Sequence, residues 1–460
     1  MVIQNQQELL KGQLNNKTKK SYTFALKLAE NMFKAINPAH LIHQNIQFDS
    51  SSQILSIGEW HYDLDQRHVI IIGGGKASGT MVQELERIIP SEIIVGGCVN
   101  VPKEQVQAIK TDKIEIIGAG HPLPDPDGVK GVKRIISYVK TAKEEDLIIC
   151  LISGGASAML PDPVPGISLD DLQNFTDLLL RCGATIHEIN ACRKHIGSIK
   201  GGQLAHMAAS TMVCLILSDV IGDNLGTIAS GPTSPDPSTF QDVRNIFTKY
   251  NLWSKIPVSV KQRIELGLQQ EISETPKPGN PIFDRIHNHI IGNNRLACLT
   301  ILEMAKRASY NTVLLTSLGE GEAREVGTFF GTIAREVKIS DHPIPAPAVI
   351  VFGGETTVKV LGKGKGGRNQ ELAVATARKI DNTEGIVIVS LGTDGFDGPT
   401  DCAGAIVHSQ TMNNVREKGL SIEMALKNND CYPLLKSLIS LIFTGVTGTN
   451  VADVTFAVIN

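Results

Sequence analysis

The stretch that most constrains the fold is Asp146–Met159, DLIICLISGGASAM. Leu147 to Ile152 are apolar without a break, and Ser153-Gly154-Gly155-Ala156-Ser157-Ala158 then carry no bulky side chain. An unbroken apolar run suits a strand covered on both faces, as in a parallel sheet. A small-residue turn at its carboxyl end lets backbone N–H groups come close to a ligand, and open α/β sheets bind ligands at that end. The same grammar recurs at Val69–Ile72 before Gly73-Gly74-Gly75-Lys76, at Val213–Leu217 before Ser218-Asp219, and at Ile386–Leu391 before Gly392-Thr393-Asp394. Any one of these reads equally as an ordinary strand-to-helix turn. The four together describe an α/β protein that binds a ligand at its strand ends.

A chain of 460 residues is long for one core, so more than one domain is expected. With 42% hydrophobic and 20% charged residues, it has an ordinary globular composition. The net charge of −3 and the absence of a long basic run argue against a nucleic-acid partner. No apolar stretch reaches the roughly 18 residues of a membrane span, and the polar N-terminal stretch MVIQNQQELLKGQLNNK does not read as a secretory leader. Eight scattered cysteines form no C-x-x-C pair and no zinc spacing, which suits free thiols in the cytoplasm. His287-x-His289 has metal-ligand spacing, but reads more readily as surface at a strand start.

Along the chain, Ser21–Ile36 has helical apolar spacing, and Asn45–Asp63 reads as a hairpin. Strands at Val69–Ile72, Ile93–Val95 and Ile114–Ile117 alternate with helices at 77–89 and 129–141. Leu169–Arg181 reads as a helix, and Ile189–Met207 as another that carries Arg193, Lys194, His195 and Lys200. The Pro-rich segment Thr275–Pro281 reads as a linker, dividing the chain into 1–275 and 276–460. Beyond it the alternation restarts with strands at Asn288–Ile291, Thr312–Thr316, Ala348–Phe352, Val358–Leu361, Ile386–Leu391 and Val454–Val458.

Gly75-Lys76 lacks the remainder of a phosphate-binding P-loop. Gly362-Lys363-Gly364-Lys365-Gly366-Gly367 matches G-x-G-x-x-G, and with Arg368 it is cationic, which suits a polyphosphate better than a dinucleotide. A nicotinamide site also needs a carboxylate at the end of the second strand, where the sequence offers Val95-Gly96-Gly97-Cys98. Ser153 and Ser157 lack the G-x-S-x-G context of a nucleophile. The acidic turns Ser218-Asp219 with Asp223, and Asp394 with Asp397 and Asp401, can each give one or two oxygens to Mg²⁺ or serve as plain turn formers. Phosphoryl transfer needs positioning and charge neutralisation rather than a covalent catalyst, and these residue types supply both.

Taken in order, GGGKAS (Gly73–Ser78), AGHPLPD (Ala119–Asp125), LISGGASAML (Leu151–Leu160), CRKHIGSIKGGQLA (Cys192–Ala205), LSDVIGDNLGTIASGPT (Leu217–Thr233), FGGETT (Phe352–Thr357), GKGKGGRNQE (Gly362–Glu371), GTDGFDGPTDCAGA (Gly392–Ala405) and TGTNVAD (Thr447–Asp453) resemble the class II glycerate kinases, whose second half is the MOFRL domain. The resemblance runs from about Tyr22 to Val458. It implies an α/β fold of two domains, a larger Rossmann-like three-layer domain and a smaller α/β domain, with the active site in the cleft between them. It implies ATP-dependent phosphorylation of D-glycerate to 2-phosphoglycerate, with Mg²⁺. The implied catalytic set is Lys76, Asp219, Arg368 and Asp394, with Asp219 and Asp394 as the metal carboxylates. Nucleotide contacts fall on Ser153, Gly154, Gly155, Ser157, Gly353, Gly354, Glu355, Thr356 and Asn450. Substrate contacts fall on Gly74, Gly75, Lys76, Arg193, Lys200 and Arg368. The expected partners are a small hydroxy acid and a nucleotide, with neither nucleic acid nor membrane, and a homodimer is admitted. The family usually reads G-P-T-G-T-N-V-N-D-L where this chain has Val446 in place of the proline and Ala452 in place of the second asparagine. Two other readings stand beside the kinase: a hydroxypyruvate oxidoreductase, and a non-catalytic nucleotide or sugar-acid sensor.

Overall fold

A computed structural model describes residues 1–11 and 15–460; the part of the polar N-terminal stretch at 12–14 lies outside the described residues. The chain forms two compact units, residues 41–291 and residues 1–40 with 292–460. Among the described residues no helix is long and apolar enough to cross a membrane.

The 41–291 unit begins with a small antiparallel sheet, β1 (Ile46–Asp49), β2 (Ile54–Ile57) and β3 (Trp60–Asp63), one strand more than the expected hairpin. Its main sheet holds β4 (Val69–Gly74), β5 (Ile94–Pro102), β6 (Ile114–Ala119), β7 (Leu147–Ile152), β8 (Thr211–Leu217) and β9 (Ile286–Gly292). The strand order is β6-β5-β4-β7-β8-β9, and every pairing from β6 through β8 is parallel. Counted within the sheet this is 3-2-1-4-5-6, the order of dinucleotide-type folds, whose direction reverses between the first and fourth strands. Here the reversal falls between β4 and β7, the two strands whose glycine turns dominate the sequence. Every residue of both strands is buried, as their unbroken apolar runs require.

The second unit holds β10 (Asn311–Gly319), β11 (Ala348–Gly354), β12 (Ile386–Gly392), β13 (Gly404–His408), β14 (Leu441–Ile442) and β15 (Asp453–Ile459), ordered β10-β11-β15-β12-β13-β14. Only β10 and β11 run parallel; β15 lies antiparallel between β11 and β12. The long N-terminal helix Asn16–Ala35 belongs to this unit, and Asn15 caps it by accepting the Thr18 N–H at 2.8 Å. Glu30 of that helix accepts the N–H groups of Val2 and Ile3 at 2.8 and 3.0 Å.

Three elements differ from the sequence reading. The Pro-rich Thr275–Pro281 is no boundary between the compact units: the Thr275 hydroxyl donates to Asp236 (2.9 Å), Pro276 O accepts the Asp236 N–H (2.9 Å), and β9 still joins the first sheet. The expected helix 189–207 is two, Ile186–Ile196 and Gln203–Met207, broken where Gly201 and Gly202 take φ of 59° and 78° and Asp162 accepts the Ile199 and Lys200 N–H groups. Val358–Leu361 forms no strand, and Val360 and Leu361 are exposed.

Candidate active site

At the switch point the turns after β4 and β7 are laced together. Lys76 N–H donates to Gly154 O (2.9 Å), Ala77 N–H to Ser153 Oγ (3.0 Å) and Gly75 N–H to Asn100 O (3.0 Å). Gly75 sits at φ 139°, and a Cβ there would lie 2.2 Å from Ser153 Oγ, so only glycine permits the approach. The N–H groups of Gly75, Lys76 and Ala77 thus hold one turn against the other. Lys76 itself is half-buried and stands at the strand edge. Asn100, a residue the sequence reading passed over, anchors both sides by donating to Gly128 O (3.0 Å) and Met159 O (2.7 Å). It closes a long β5 whose interior holds Gly96 and Gly97, so the sequence argument that placed the strand end there lapses. The spent N–H groups of Lys76 and Ala77 replace it, because a dinucleotide pyrophosphate binds at that turn.

Asp219 follows β8, the next strand along the same carboxyl-terminal edge. The loop beyond it places Asp223, Ala229 and Ser230 at positive φ, a conformation that is costly for residues other than glycine. Asn190 holds it, accepting from Ser230 Oγ (2.9 Å) and donating to Thr227 O (3.4 Å). Nothing in the sequence marked Asn190 beyond a polar residue on a helix.

The four cations expected on one helix separate. Lys194 pairs with Asp236 (3.2 Å), and His195 Nε2 lies 3.0 Å from Glu274. Lys200 is buried against Asp162 and donates to Leu160 O (2.9 Å), so its ammonium is already neutralised. The Arg193 side chain makes no hydrogen bond or ion pair among the described residues. Burial depresses its pKa, with Asp162 pulling the other way. Arg193 and Lys200 border a cavity of about 310 Å³ together with Gly155 and Ser157, so the structure joins two expected substrate residues to two expected nucleotide residues.

In the second unit, Gly354, Gly392 and Asp453 lie side by side at the ends of β11, β12 and β15. Arg368, at the start of helix Arg368–Lys379, binds Asp453 through Nε (2.5 Å) and a terminal nitrogen (3.0 Å), and Glu355 through the other (2.6 Å). One N–H from each nitrogen is used, leaving two of the guanidinium's five. Burial opposes the charge on Arg368, but Asp453, then Glu355 and Asp397, hold its pKa above the usual value. Burial pushes the Asp453 carboxyl up, against Arg368.

Asp397 occupies the amino end of this helix, accepting the N–H groups of Asn369 (3.0 Å) and Gln370 (2.9 Å). Burial raises its pKa and those donors oppose the rise. The cationic glycine loop is likewise engaged: the N–H groups of Leu361, Gly362, Lys363 and Lys365 donate to the side chains of Asn428, Asn429 and Asp430. Its backbone therefore holds the loop to its own unit instead of cradling a polyphosphate. Thr356 and Arg368 border a cavity of about 460 Å³. The Asp394 turn is tied to the Asn450 loop: Thr447 donates to Thr393 O (2.6 Å), and Thr393 donates to Ala452 O (2.6 Å). Asp394 accepts the Phe396 N–H at 3.1 Å, and Asn450 the Ala452 N–H at 3.1 Å. Gly353 and Gly354 are packed against Asn294 and Gly319, where a Cβ would come within 2.0 Å of an oxygen.

The histidine pair is structural. Trp60 stacks on His287 (5.3 Å between ring centroids), Tyr62 Oη lies 2.6 Å from His287 Nδ1, and His289 Nε2 lies 3.0 Å from Asn45 Oδ1. Among the described residues no group of three or more His, Cys, Asp or Glu side chains has metal-binding geometry.

Comparison with known proteins accounts for both units. A family model described as a domain of unknown function, DUF4147, matches residues 24–265, and the MOFRL family model matches residues 348–453. The glycerate 2-kinase of Pyrococcus horikoshii is 42% identical over 435 residues, covering 94% of this chain and 96% of the relative. A relative from Agrobacterium vitis that carries the name of a hydroxypyruvate reductase is 36% identical, covering 84% of this chain and 97% of its own. The crystal structure of glycerate kinase from Thermotoga maritima aligns with a TM-score of 0.84 at 36% identity, covering 95% of this chain and 99% of that one. With both parts matched in order and near-complete coverage, the chain belongs to the class II glycerate kinase family, the proteins that join a DUF4147 domain to a MOFRL domain.

Proposed function

We propose that this chain transfers the γ-phosphoryl group of ATP to D-glycerate, giving 2-phosphoglycerate and ADP. The observation that carries the reading is the carboxyl-terminal edge of the β4-β7-β8 sheet, where Lys76, the Ser153–Ser157 turn and Asp219 follow three adjacent parallel strands at the switch point. The near full-length likeness to the Pyrococcus horikoshii glycerate 2-kinase supports the same reaction.

In this reading Lys76 and the two remaining donors of Arg368 meet the glycerate carboxylate and the moving phosphoryl group, where fixed cations stabilise charge without reorganising. Asp219 orients the acceptor hydroxyl and takes its proton. Asp394 serves Mg²⁺ or the same hydroxyl. As the family resemblance implies, Asp219 or Asp394 would give Mg²⁺ a carboxylate, with nucleotide phosphates completing the shell, as is usual for this ion. When bound, Mg²⁺ offsets phosphate charge. Eight thiols without a disulfide suit the reducing cytoplasm, where we place the reaction.

The oxidoreductase reading fares less well, because the turn that would hold a dinucleotide pyrophosphate spends its N–H groups internally. Coupled detection of ADP with D-glycerate and Mg-ATP, followed by NMR of the product, tests the proposal. A phosphate on the 2-hydroxyl is expected; no turnover, or NAD(P)H oxidation with hydroxypyruvate in its place, would overturn it.

A further inference from the structure

The cavity beside Gly155 has a composition that three-carbon glycerate does not explain. Its walls are Pro122, Leu123 and Pro124 from the loop after β6, and Leu172, Thr176 and Leu180 from helix Leu169–Arg181. Leu123 and Leu180 are 73% and 60% exposed, so two leucines stand open to solvent at one opening. Glycerate bears oxygen on every carbon and has no apolar face to cover them. At about 310 Å³ the space suits a larger, flat, partly apolar group.

Three charged residues border this slot, and two have ion-pair partners: Asp177 pairs with Arg181 at 2.7 Å, and Lys200 with Asp162. The Arg193 side chain, from helix Ile186–Ile196, makes no hydrogen bond or ion pair among the described residues; Asp162, which binds Lys200, compensates it only through space, so an anion in the slot would relieve the cost of a half-buried guanidinium. The neighbouring Lys200 does not answer that need, since it is bound to Asp162. Gly155, at φ 82°, completes the wall: a Cβ there would lie 2.7 Å from Met159 Cε and 2.9 Å from the His121 ring. An apolar slot with one unpaired cation has the chemistry of a nucleoside phosphate, a flat base at one end and an anion at the other.

We propose that this cavity holds the nucleoside end of the phosphoryl donor, with the base between Leu123 and the leucines of helix Leu169–Arg181 and Arg193 on a phosphate. The proposal rests on the kinase reading and moves Arg193 from the hydroxy acid to the nucleotide. Gln173 fixes the slot's depth by donating to Pro124 O at 2.7 Å, and the Thr176 hydroxyl is the polar group set against the base.

The test is calorimetric binding of ADP to the full-length chain, with steady-state kinetics on the same samples. Leu180→Glu alters an exposed residue and brings a negative charge to the slot; Thr176→Trp fills it; Arg193→Gln removes the cation. Each is expected to weaken ADP binding at least tenfold and to raise KM for ATP similarly, with KM for D-glycerate within twofold of the parent. If Leu180→Glu folds and binds ADP as the parent does while the parent phosphorylates glycerate, the nucleoside site is wrong and the kinase reading stands. If the parent binds ADP and loses it in these variants but does not phosphorylate glycerate, the site stands and the kinase reading falls. A rise in KM for glycerate alone would assign the cavity to the acid and overturn the proposal.

Discussion

The two units bring strand ends together by different means. At the β4-β7 switch point the lacing is made by backbone N–H groups, one serine hydroxyl and glycines that no side chain can replace. At the β11-β15-β12 end it is made by charge on buried carboxylates: Arg368 on buried Asp453, with exposed Glu355 beside it, and buried Asp397 on a helix amino end. The first arrangement fixes the backbone through N–H groups and the Ser153 hydroxyl. The second makes a proposed catalytic cation part of the fold. Position and reactivity are therefore coupled in the second unit.

The coupling is tested most severely by Arg368→Ala. It should lower kcat/KM by ~2.7–4 kcal/mol as a lost charge-stabilising donor, and also destabilise its unit by about 3–5 kcal/mol by leaving Asp453 buried without its partner. Lys76→Ala should match the loss in activity at a smaller cost to stability, because the lacing of its turn runs through backbone N–H groups and the Ser153 hydroxyl. Equal stability in the two variants would end the distinction.

Asp397→Ala should cost about 3 kcal/mol, since two helix N–H groups lose a charged acceptor, whereas Ser153→Ala in the other unit should cost about 1 kcal/mol. Urea unfolding read by exchange in each sheet measures both, and the reverse order would contradict the contrast.

Acid offers a comparison without mutation. Burial lowers His408, on β13, to about 4, and lowers His287 and His289 in the other unit. A histidine depressed in the folded state stabilises fully above its unfolded pKa near 6.5 and loses that contribution as pH falls toward 4. For His408 the loss is about 3 kcal/mol, from 1.36 kcal/mol per unit. The β13 amides should show markedly lower protection factors, after correction for the slower intrinsic exchange in acid, at pH 4.5 than at pH 7, and His408→Gln should flatten that dependence.

The smallest expected effect concerns Ala452, which sits at φ 64° where the family resemblance leads one to expect asparagine. Asparagine tolerates this conformation better than alanine, so Ala452→Asn should stabilise by about 1 kcal/mol. A drop in Tm would contradict that account.

The parallel sheet was legible because Val69–Ile72, Leu147–Ile152 and Val213–Leu217 are apolar throughout, and only strands buried on both faces need that. The strand ends were legible because small residues mark where backbones come close. What stayed hidden was pairing at a distance. Asp453 reads as one more acidic residue until β15 slots between β11 and β12, and Asp162 looks like a loop residue until Lys200 reaches it. The cationic loop at Gly362 misled because sequence shows its lysines but not the Asn428–Asp430 turn that takes its N–H groups. Proline content misled at Thr275–Pro281, where rigid backbone serves packing on Asp236 instead of separation.

The position of β15 has a consequence for synthesis. Residues 41–291 contain every strand of their own sheets and can fold while the ribosome is still at work, as domains commonly do. The other sheet has no centre until residues 453–459 emerge, so helix Asn16–Ala35 must wait for its platform while residues 36–452 are made. Over that interval its apolar face is exposed, and a nascent-chain chaperone would find its target there.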